Sequence, residues 1–197
     1  ITKVYQDKPL GLGHAIRCAR EAVGDEPFAV ILPDDMVLHQ TGCLSQMVKQ
    51  YEHLGGNLVA IEAVPQDQTH RYGVLDPGDE NGTLVAIKGL VEKPAPADAP
   101  SNLAIIGRYI LDPKVMEDLS AFNKGAGGEI QITDSLANLI GALPLHGYKF
   151  QGKRFDCGNR VGFLAANLAF ALSSSGTGEH SDLGENLRSV LRDILST

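Results

Sequence analysis

The sequence predicts an α/β fold, in which helices flank a mixed, mostly parallel sheet. Two observations carry this prediction. Short apolar runs of strand length alternate along the chain with segments whose apolar residues recur at helical spacing. Residues 28–32 are apolar throughout, as is typical of a parallel strand that is covered on both faces. With 197 residues, 43% of them hydrophobic, the chain is long enough to bury a substantial core.

The strands are predicted from apolar runs bounded by turn residues. A continuous run at residues 57–64 indicates a second buried strand, and residues 103–111 form a third such run. A hairpin is expected around residues 77–82, which are rich in Gly, Pro, Asp and Asn. The full set of predicted strands is residues 2–6, 28–32, 57–64, 72–76, 83–87, 103–111 and 145–150.

The helices are predicted from spacing and from their start and stop signals. Asp112-Pro113 supplies a cap and a first-turn proline, and Gly55-Gly56 ends an earlier helix. The predicted helices are residues 15–23, 43–54, the segment after Asp112-Pro113, a segment from about 134 to 140, and residues 159–172 and 183–195.

The domain organisation follows from a change in composition near the end of the chain. Residues 1–172 are expected to form one domain, and residues 173–181 a polar linker that contains glycine. Residues 182–197 form an amphipathic helix, a possible contact between copies in a homo-oligomer. Its apolar stripe consists of Leu183, Leu187, Leu191 and Ile194.

The composition of the chain indicates which classes of partner it binds and in which cellular compartment it is expected. The net charge of -7 argues against nucleic acid, which requires a basic surface. No apolar run is long enough to span a membrane, and the first residues lack the pattern of a signal peptide. Three widely spaced cysteines, Cys18, Cys43 and Cys157, form no CxxC pair. They are expected to be free thiols in a reducing cytoplasm, and Cys157 is interpreted as a packing residue.

Acidic residues follow two strand-like runs. Asp34 and Asp35 come directly after the strand at residues 28–32, and Asp156 follows a shorter run. Aspartate at the end of a strand is either a helix N-cap or a metal ligand. The second acid in a similar setting favours a magnesium site formed by Asp34 and Asp156, with Asp35 as a cap or a supporting residue.

Three further groups of residues are candidate ligand-binding motifs, although each is weak evidence by itself. Gln6 with Gly11-Leu12-Gly13 indicates either a site of close ligand approach or a simple turn. Glu92-Lys93 suits a sugar hydroxyl and a phosphate, although an isolated Glu-Lys-Pro is more simply a surface ion pair. Residues 125–134 suggest a glycine-rich loop, in which Glu129 and Asp134 would equally favour a helix start.

The order of these motifs resembles the bacterial UTP–glucose-1-phosphate uridylyltransferase family, over nearly all of residues 3–172. The long run from Pro100 to Tyr109 is the most specific part of the resemblance. The other matching segments are Gln6 with residues 10–15, residues 32–35, residues 72–74, residues 91–94, residues 128–134 and residues 156–159.

The resemblance implies a Rossmann-like fold of the nucleotide-diphospho-sugar transferase type. It implies magnesium-dependent transfer that joins UTP and glucose 1-phosphate into UDP-glucose and pyrophosphate. Gln6 and Gly11 would contact uracil. Gly73, Glu92 and Gly107 would line the glucose site. Lys93, Asp34 and Asp156 would be catalytic, with Lys93 on the sugar phosphate and the two aspartates on Mg²⁺.

The family begins with a glycine-rich GxGTRxLPxTK segment that wraps the UTP phosphates, and these 197 residues do not contain it. The expectation is therefore a partial domain, with its N-terminal part missing, that is inactive alone. An unpaired sheet edge and an apolar face would be exposed and would favour association. Two alternatives stay open: a related transferase that uses another nucleotide such as dTTP, and a non-catalytic nucleotide-sugar-binding subunit.

Overall fold

A computed structural model describes residues 1–121, 128–173 and 182–196. The strands are β1 (Phe28–Ile31), β2 (Asp35–Leu38), β3 (Asn57–Ala63), β4 (Gly73–Asn81), β5 (Leu84–Glu92), β6 (Leu103–Leu111), β7 (Leu145–Lys149) and β8 (Lys153–Asp156). The α-helices are α1 (Leu12–Cys18), α2 (Arg20–Val23), α3 (Cys43–Leu54), α4 (Lys114–Ala121), α5 (Ile132–Leu139), α6 (Arg160–Ser173) and α7 (Leu183–Leu195), and a 3₁₀ helix covers Gln66–Arg71.

The chain divides into two compact units. The first contains residues 1–32 and 43–151, and the second contains residues 33–42 and 152–197. The expected linker at residues 173–181 begins within α6, and its remainder lies outside the described residues. The glycines at 125 and 127 also lie outside them.

The first unit is built on a six-stranded mixed sheet with the order β1-β6-β3-β7-β5-β4. The α/β class is thereby confirmed. The sheet was expected to be mostly parallel, but most of its strand pairs are antiparallel. The pair β3–β7 is parallel. The antiparallel pairs are β1–β6, β3–β6, β5–β7, β4–β5 and β4–β6. An apolar run reports that a strand is buried, but strand direction depends on the connections between strands.

The core of this unit lies between the central strands and the helices that cover them. Val59 and Ile61 on β3 and Leu111 on β6 are almost completely buried. They pack in one cluster with Leu119 of α4 and Leu136 of α5. These contacts explain why the apolar runs at residues 57–64 and 103–111 predicted strands correctly.

The predicted first strand is wrong, because residues 1–10 are irregular. Ile1, Val4 and Tyr5 are exposed. A strand requires a neighbour for its ladder hydrogen bonds and a surface on which to bury one face. The local composition of residues 2–6 is therefore insufficient to specify a strand. At the edge of the sheet, β1 leaves the side chain of Ile31 about half exposed.

The second unit contains an antiparallel pair, β2–β8, and two helices. The register sets Asp35 opposite Asp156 and Met36 opposite Phe155. Phe155 also meets Phe170 of α6, with a distance of 6.3 Å between the ring centroids. Within the described ranges, no helix has both the length and the apolar character that crossing a membrane requires.

Candidate functional site

The first candidate site lies in the first unit, where the β4–β5 hairpin ends. Gly73 and Glu92 are opposite each other in this antiparallel pair. Lys93 follows with a φ of 47°, in the left-handed region, and its N–H donates to the Tyr72 carbonyl at 3.0 Å. Neighbouring side chains point to opposite sides of a regular strand, so this turn of the backbone changes where Lys93 points.

The result is that Glu92 and Lys93 face each other. Lys93 Nζ lies 3.5 Å from Glu92 Oε1. The Lys93 side chain is 53% exposed, whereas the Glu92 side chain is only 12% exposed. A carboxylate and an ammonium group on the same side of the chain present an acceptor and a cation together. This combination can contact the hydroxyls and the phosphate of one small ligand.

Thr133 is a member of this site that the sequence reasoning missed. It lies in the first turn of α5, and its hydroxyl donates to Glu92 Oε2 at 2.7 Å. Within residues 128–134, the sequence pattern indicates candidate roles for Glu129 and Asp134, which are charged, and none for Thr133. A buried threonine beside a glutamate distant in sequence gives no signal in a single sequence.

Asp134 follows Thr133 and is half-buried. Burial, and secondarily the negative charge of Glu92, raise the pKa of the Asp134 carboxyl above its ordinary value of 3.8. The folded chain therefore disfavours the charged form of Asp134.

We expect Asp134→Asn to raise the melting temperature at pH 7, with a gain that shrinks as the pH falls toward 4. A raised folded-state pKa contributes stability below the unfolded-state pKa, and this contribution is lost as the pH rises through the folded-state pKa. Thermal unfolding at both pH values measures the effect. Asp79→Asn, at an exposed hairpin position, is the control for loss of one negative charge. An equal change at both pH values would contradict the prediction.

Gly107 lies within β6 and is buried. Its carbonyl accepts hydrogen bonds from the Leu32 N–H at 2.9 Å and from Arg108 Nη1 at 2.7 Å. On the same strand, Ala104 pairs with Val74, which directly follows Gly73. Gly107 and Gly73 are therefore carried by strands that pair with each other.

The Gln6 segment forms a small network of its own. Gln6 Nε2 donates to the Gly11 carbonyl at 3.1 Å and lies 2.9 Å from His14 Nδ1. Gly11 has a φ of 102° directly before α1. A Cβ on Gly11 would lie 2.8 Å from the carbonyl oxygen of Ile130. A close approach between two backbones thus requires Gly11, so the motif does not need a ligand to explain its glycine.

The second candidate site lies in the second unit. Asp34 is in the turn before β2, and Asp156 is the last residue of β8. Because a strand begins at Asp35, neither Asp34 nor Asp35 caps a helix. Asp35 instead forms a largely buried ion pair with Arg154 on the partner strand.

Asp34 and Asp156 converge beside Gly158. The position of a Cβ on Gly158 lies 3.1 Å from Asp156 Oδ1 and 3.4 Å from Asp34 Oδ2. The backbone joins the two segments here, since the Cys157 N–H donates to the Asp34 carbonyl at 2.7 Å. The Gly158 N–H donates to Asp156 Oδ1 at 3.0 Å.

Two converging carboxylates suit a hard divalent cation. Magnesium binds proteins through one or two carboxylates and completes its shell with water and phosphate oxygens. No cluster of three or more His, Cys, Asp or Glu residues with metal-binding geometry occurs in the part of the chain that the structure describes. A pair of carboxylates leaves coordination positions for water and phosphate oxygens.

The start of α6 fixes the backbone of Asp156. Asn159 Nδ2 donates to the Asp156 carbonyl at 3.0 Å, and Asn159 Oδ1 accepts from the Gly162 N–H at 2.8 Å. A Cβ on Gly162 would lie only 1.8 Å from the Asp156 carbonyl oxygen. The helix can approach Asp156 this closely only because residue 162 has no side chain.

Gly162→Ala is accordingly expected to destabilise the protein by about 1–3 kcal/mol, as overpacking does. Urea unfolding monitored by circular dichroism measures this change. Gly89→Ala is a matched control, since a Cβ there would meet Asp76 at an ordinary 3.5 Å. If Gly162→Ala is as stable as the wild type, the prediction is wrong, because α6 would then move away from Asp156 with no loss of free energy of unfolding.

Comparison with known proteins shows the family to which this chain is similar. A model of the family described as nucleotidyl transferase matches residues 1–173. UTP–glucose-1-phosphate uridylyltransferase of Komagataeibacter xylinus is 52% identical over 151 residues, which cover 77% of this chain and 53% of that protein.

Solved structures give the same result. A UDP-glucose pyrophosphorylase complexed with UDP-glucose is 43% identical with a TM-score of 0.80, covering 84% of this chain and 63% of that chain. A UTP-bound UGPase from Acinetobacter baumannii is 37% identical with a TM-score of 0.80, covering 95% and 63% respectively. Each match thus spans less than two thirds of the relative's length, but the family model covers most of this chain. The chain belongs to the nucleotidyl transferase family.

Proposed function

We propose that the full-length protein is a UTP–glucose-1-phosphate uridylyltransferase, which forms UDP-glucose and pyrophosphate from UTP and glucose 1-phosphate. The observation that carries this proposal is the pairing of Glu92 with Lys93 at the left-handed end of β5. A sugar phosphate needs both an acceptor for its hydroxyls and a cation for its phosphate. The similarity to relatives of this name supports the choice of substrates.

The proposed reaction is a direct in-line displacement. A phosphate oxygen of glucose 1-phosphate forms a bond to the α-phosphorus of UTP. The bond between the α-phosphorus and its bridging oxygen breaks, and pyrophosphate leaves with the electron pair. Because the nucleophile is already an anion, no serine, cysteine or histidine nucleophile and no strong base is required. Positioning and charge neutralisation supply the catalysis.

Each residue has one role in this proposal. Glu92 accepts hydrogen bonds from glucose hydroxyls, and Lys93 neutralises the phosphate of glucose 1-phosphate. Gly73 and Gly107 line the glucose pocket. Gln6 and Gly11 contact the uracil ring, with the side-chain amide of Gln6 and the backbone of Gly11 as the hydrogen-bonding groups.

Family members in general use a divalent metal, and we propose that the ion here is Mg²⁺. Asp34 and Asp156 would hold it, supported by their convergence beside Gly158. When bound, the ion supplies positive charge to the triphosphate. Asp35 keeps its ion pair with Arg154 and has no metal-binding role in this proposal.

A pyrophosphate-release assay of the full-length protein tests the proposal. UTP and dTTP are each combined with glucose 1-phosphate and with other sugar 1-phosphates, with and without Mg²⁺. We expect the highest kcat/KM with UTP, glucose 1-phosphate and Mg²⁺. Preference for dTTP would favour the related thymidylyltransferase. Binding of UDP-glucose without any turnover would favour a non-catalytic nucleotide-sugar-binding subunit.

We also propose a homo-oligomer in the cytoplasm. On α7, Leu183 and Ile194 are exposed, whereas Leu187 and Leu191 are partly covered. Exposed apolar side chains on a helix support contact between copies. Cys18, Cys43 and Cys157 all lie in the described part of the chain and form no disulfide there, which supports a reducing compartment. Light scattering of the purified protein tests the oligomeric state.

A further inference from the structure

We propose that Thr133 is a positioning residue whose hydroxyl orients the Glu92 carboxylate for recognition of a sugar hydroxyl. This inference rests on the proposed function and deepens it, since it names a residue that sets affinity for the sugar without touching it. Three features of the first unit carry the inference: the rigidity of Thr133, the division of the two Glu92 oxygens, and the space kept open by Gly73.

Thr133 is held firmly in place. It is 6% exposed and lies in the first turn of α5, next to Ile132, which packs in the core. A β-branched side chain has few accessible rotamers, so burial fixes the direction of its hydroxyl. The 2.7 Å hydrogen bond to Glu92 Oε2 joins this rigid donor to the end of β5. A bond to an ionised acceptor is stronger than one between neutral groups.

The two carboxylate oxygens of Glu92 therefore have different roles. Oε2 accepts the Thr133 hydroxyl. Oε1 lies 3.5 Å from Lys93 Nζ, beyond ordinary hydrogen-bond distance, and so retains capacity for another donor. A glucose hydroxyl is such a donor. Without Thr133, the carboxylate is free to rotate, and its 3.5 Å ion pair with Lys93 could shorten to a direct hydrogen bond that competes with the sugar.

Gly73 completes the arrangement from the opposite strand. A Cβ at this position would lie 3.1 Å from Thr133 Oγ1 and 3.3 Å from Glu92 Oε2. Both distances are tighter than normal contacts, so a side chain would press on the hydrogen bond. The glycine at residue 73 is thus explained by the Thr133–Glu92 pair in addition to its proposed place in the pocket.

The test uses the full-length protein. It compares Thr133→Val, which keeps the shape of the side chain and removes the hydroxyl, with Thr133→Ser, which keeps the hydroxyl. We expect Thr133→Val to raise KM for glucose 1-phosphate about 10-fold, because a misoriented Glu92 carboxylate would lose one hydrogen bond from the sugar hydroxyl. KM for UTP should change by less than about twofold. Thr133→Ser should restore KM for glucose 1-phosphate to within about threefold of the wild type.

Thr69→Val is the matched control. Thr69 is also fully buried, and its hydroxyl donates to the Gln66 carbonyl at 3.0 Å within the 3₁₀ helix. It should lower the melting temperature and leave both KM values unchanged. Calorimetric titration with UDP-glucose gives a second readout, in which Thr133→Val should weaken binding by a similar factor.

The outcomes separate the two proposals. A wild type that makes UDP-glucose, together with a Thr133→Val variant of unchanged KM and unchanged binding, would overturn the role of Thr133 alone. Equal impairment of Thr133→Ser and Thr133→Val would overturn it too, because shape rather than the hydroxyl would then matter. A wild type that neither makes nor binds UDP-glucose would overturn both the proposed function and this inference.

Discussion

Replacing Asp156 with asparagine is expected to lower Mg²⁺-dependent kcat/KM by about 100-fold or more, because even residues that only support a metal ligand cost 10–100-fold when they are replaced. Stability should not fall. Asparagine keeps an oxygen that can accept the Gly158 N–H, and it removes one of two like charges that converge beside Gly158. Steady-state assays over a range of Mg²⁺ concentrations, with thermal unfolding in parallel, measure both effects.

Asp193→Asn is the control for Asp156→Asn. It removes one carboxylate at an exposed position of α7, in the same unit of the chain. Its activity and its response to Mg²⁺ should match the wild type. If Asp156→Asn retains full activity, Asp156 is not a metal ligand. A large fall in melting temperature with a proportional loss of activity would assign Asp156 a structural role instead.

Replacing Glu92 with glutamine should raise KM for glucose 1-phosphate by about 10–100-fold, since a hydrogen bond to a charged acceptor contributes more than one to a neutral amide. KM for UTP should stay within about twofold. Glutamine has nearly the same shape and can still accept from Thr133, so the fold is preserved. Initial rates with each substrate varied in turn measure the two KM values.

Glu80→Gln is the control for Glu92→Gln. Glu80 lies on the same hairpin and pairs with Lys149 Nζ at 2.5 Å on the exposed surface. An exposed pair contributes little to stability, so the variant should behave as the wild type. Unchanged affinity of Glu92→Gln for glucose 1-phosphate would remove Glu92 from the sugar site. An equal increase of KM for UTP would indicate a general disturbance of the first unit.

Local sequence patterns predicted the elements better than they predicted the interactions between them. The apolar runs that became β3 and β6 and the capped start of α4 were recognised because burial and capping leave signals within a few residues. Asp112 Oδ1 accepts the Lys114 N–H at 2.9 Å, as the Asp-Pro signal predicts. The irregular segment at residues 2–6 was misread, because a strand needs a partner that the same few residues cannot specify.

The sequence by itself determined the α/β class, the order of most elements and the family, since these depend on local periodicity and on motifs in a fixed order. Only the tertiary structure decided which residues meet. The approach of Asp34 to Asp156 depends on the β2–β8 register, and the Thr133–Glu92 hydrogen bond joins a helix to a strand from a distant segment. Such contacts depend on how strands pair and helices pack, and a single sequence does not encode this in its neighbouring residues.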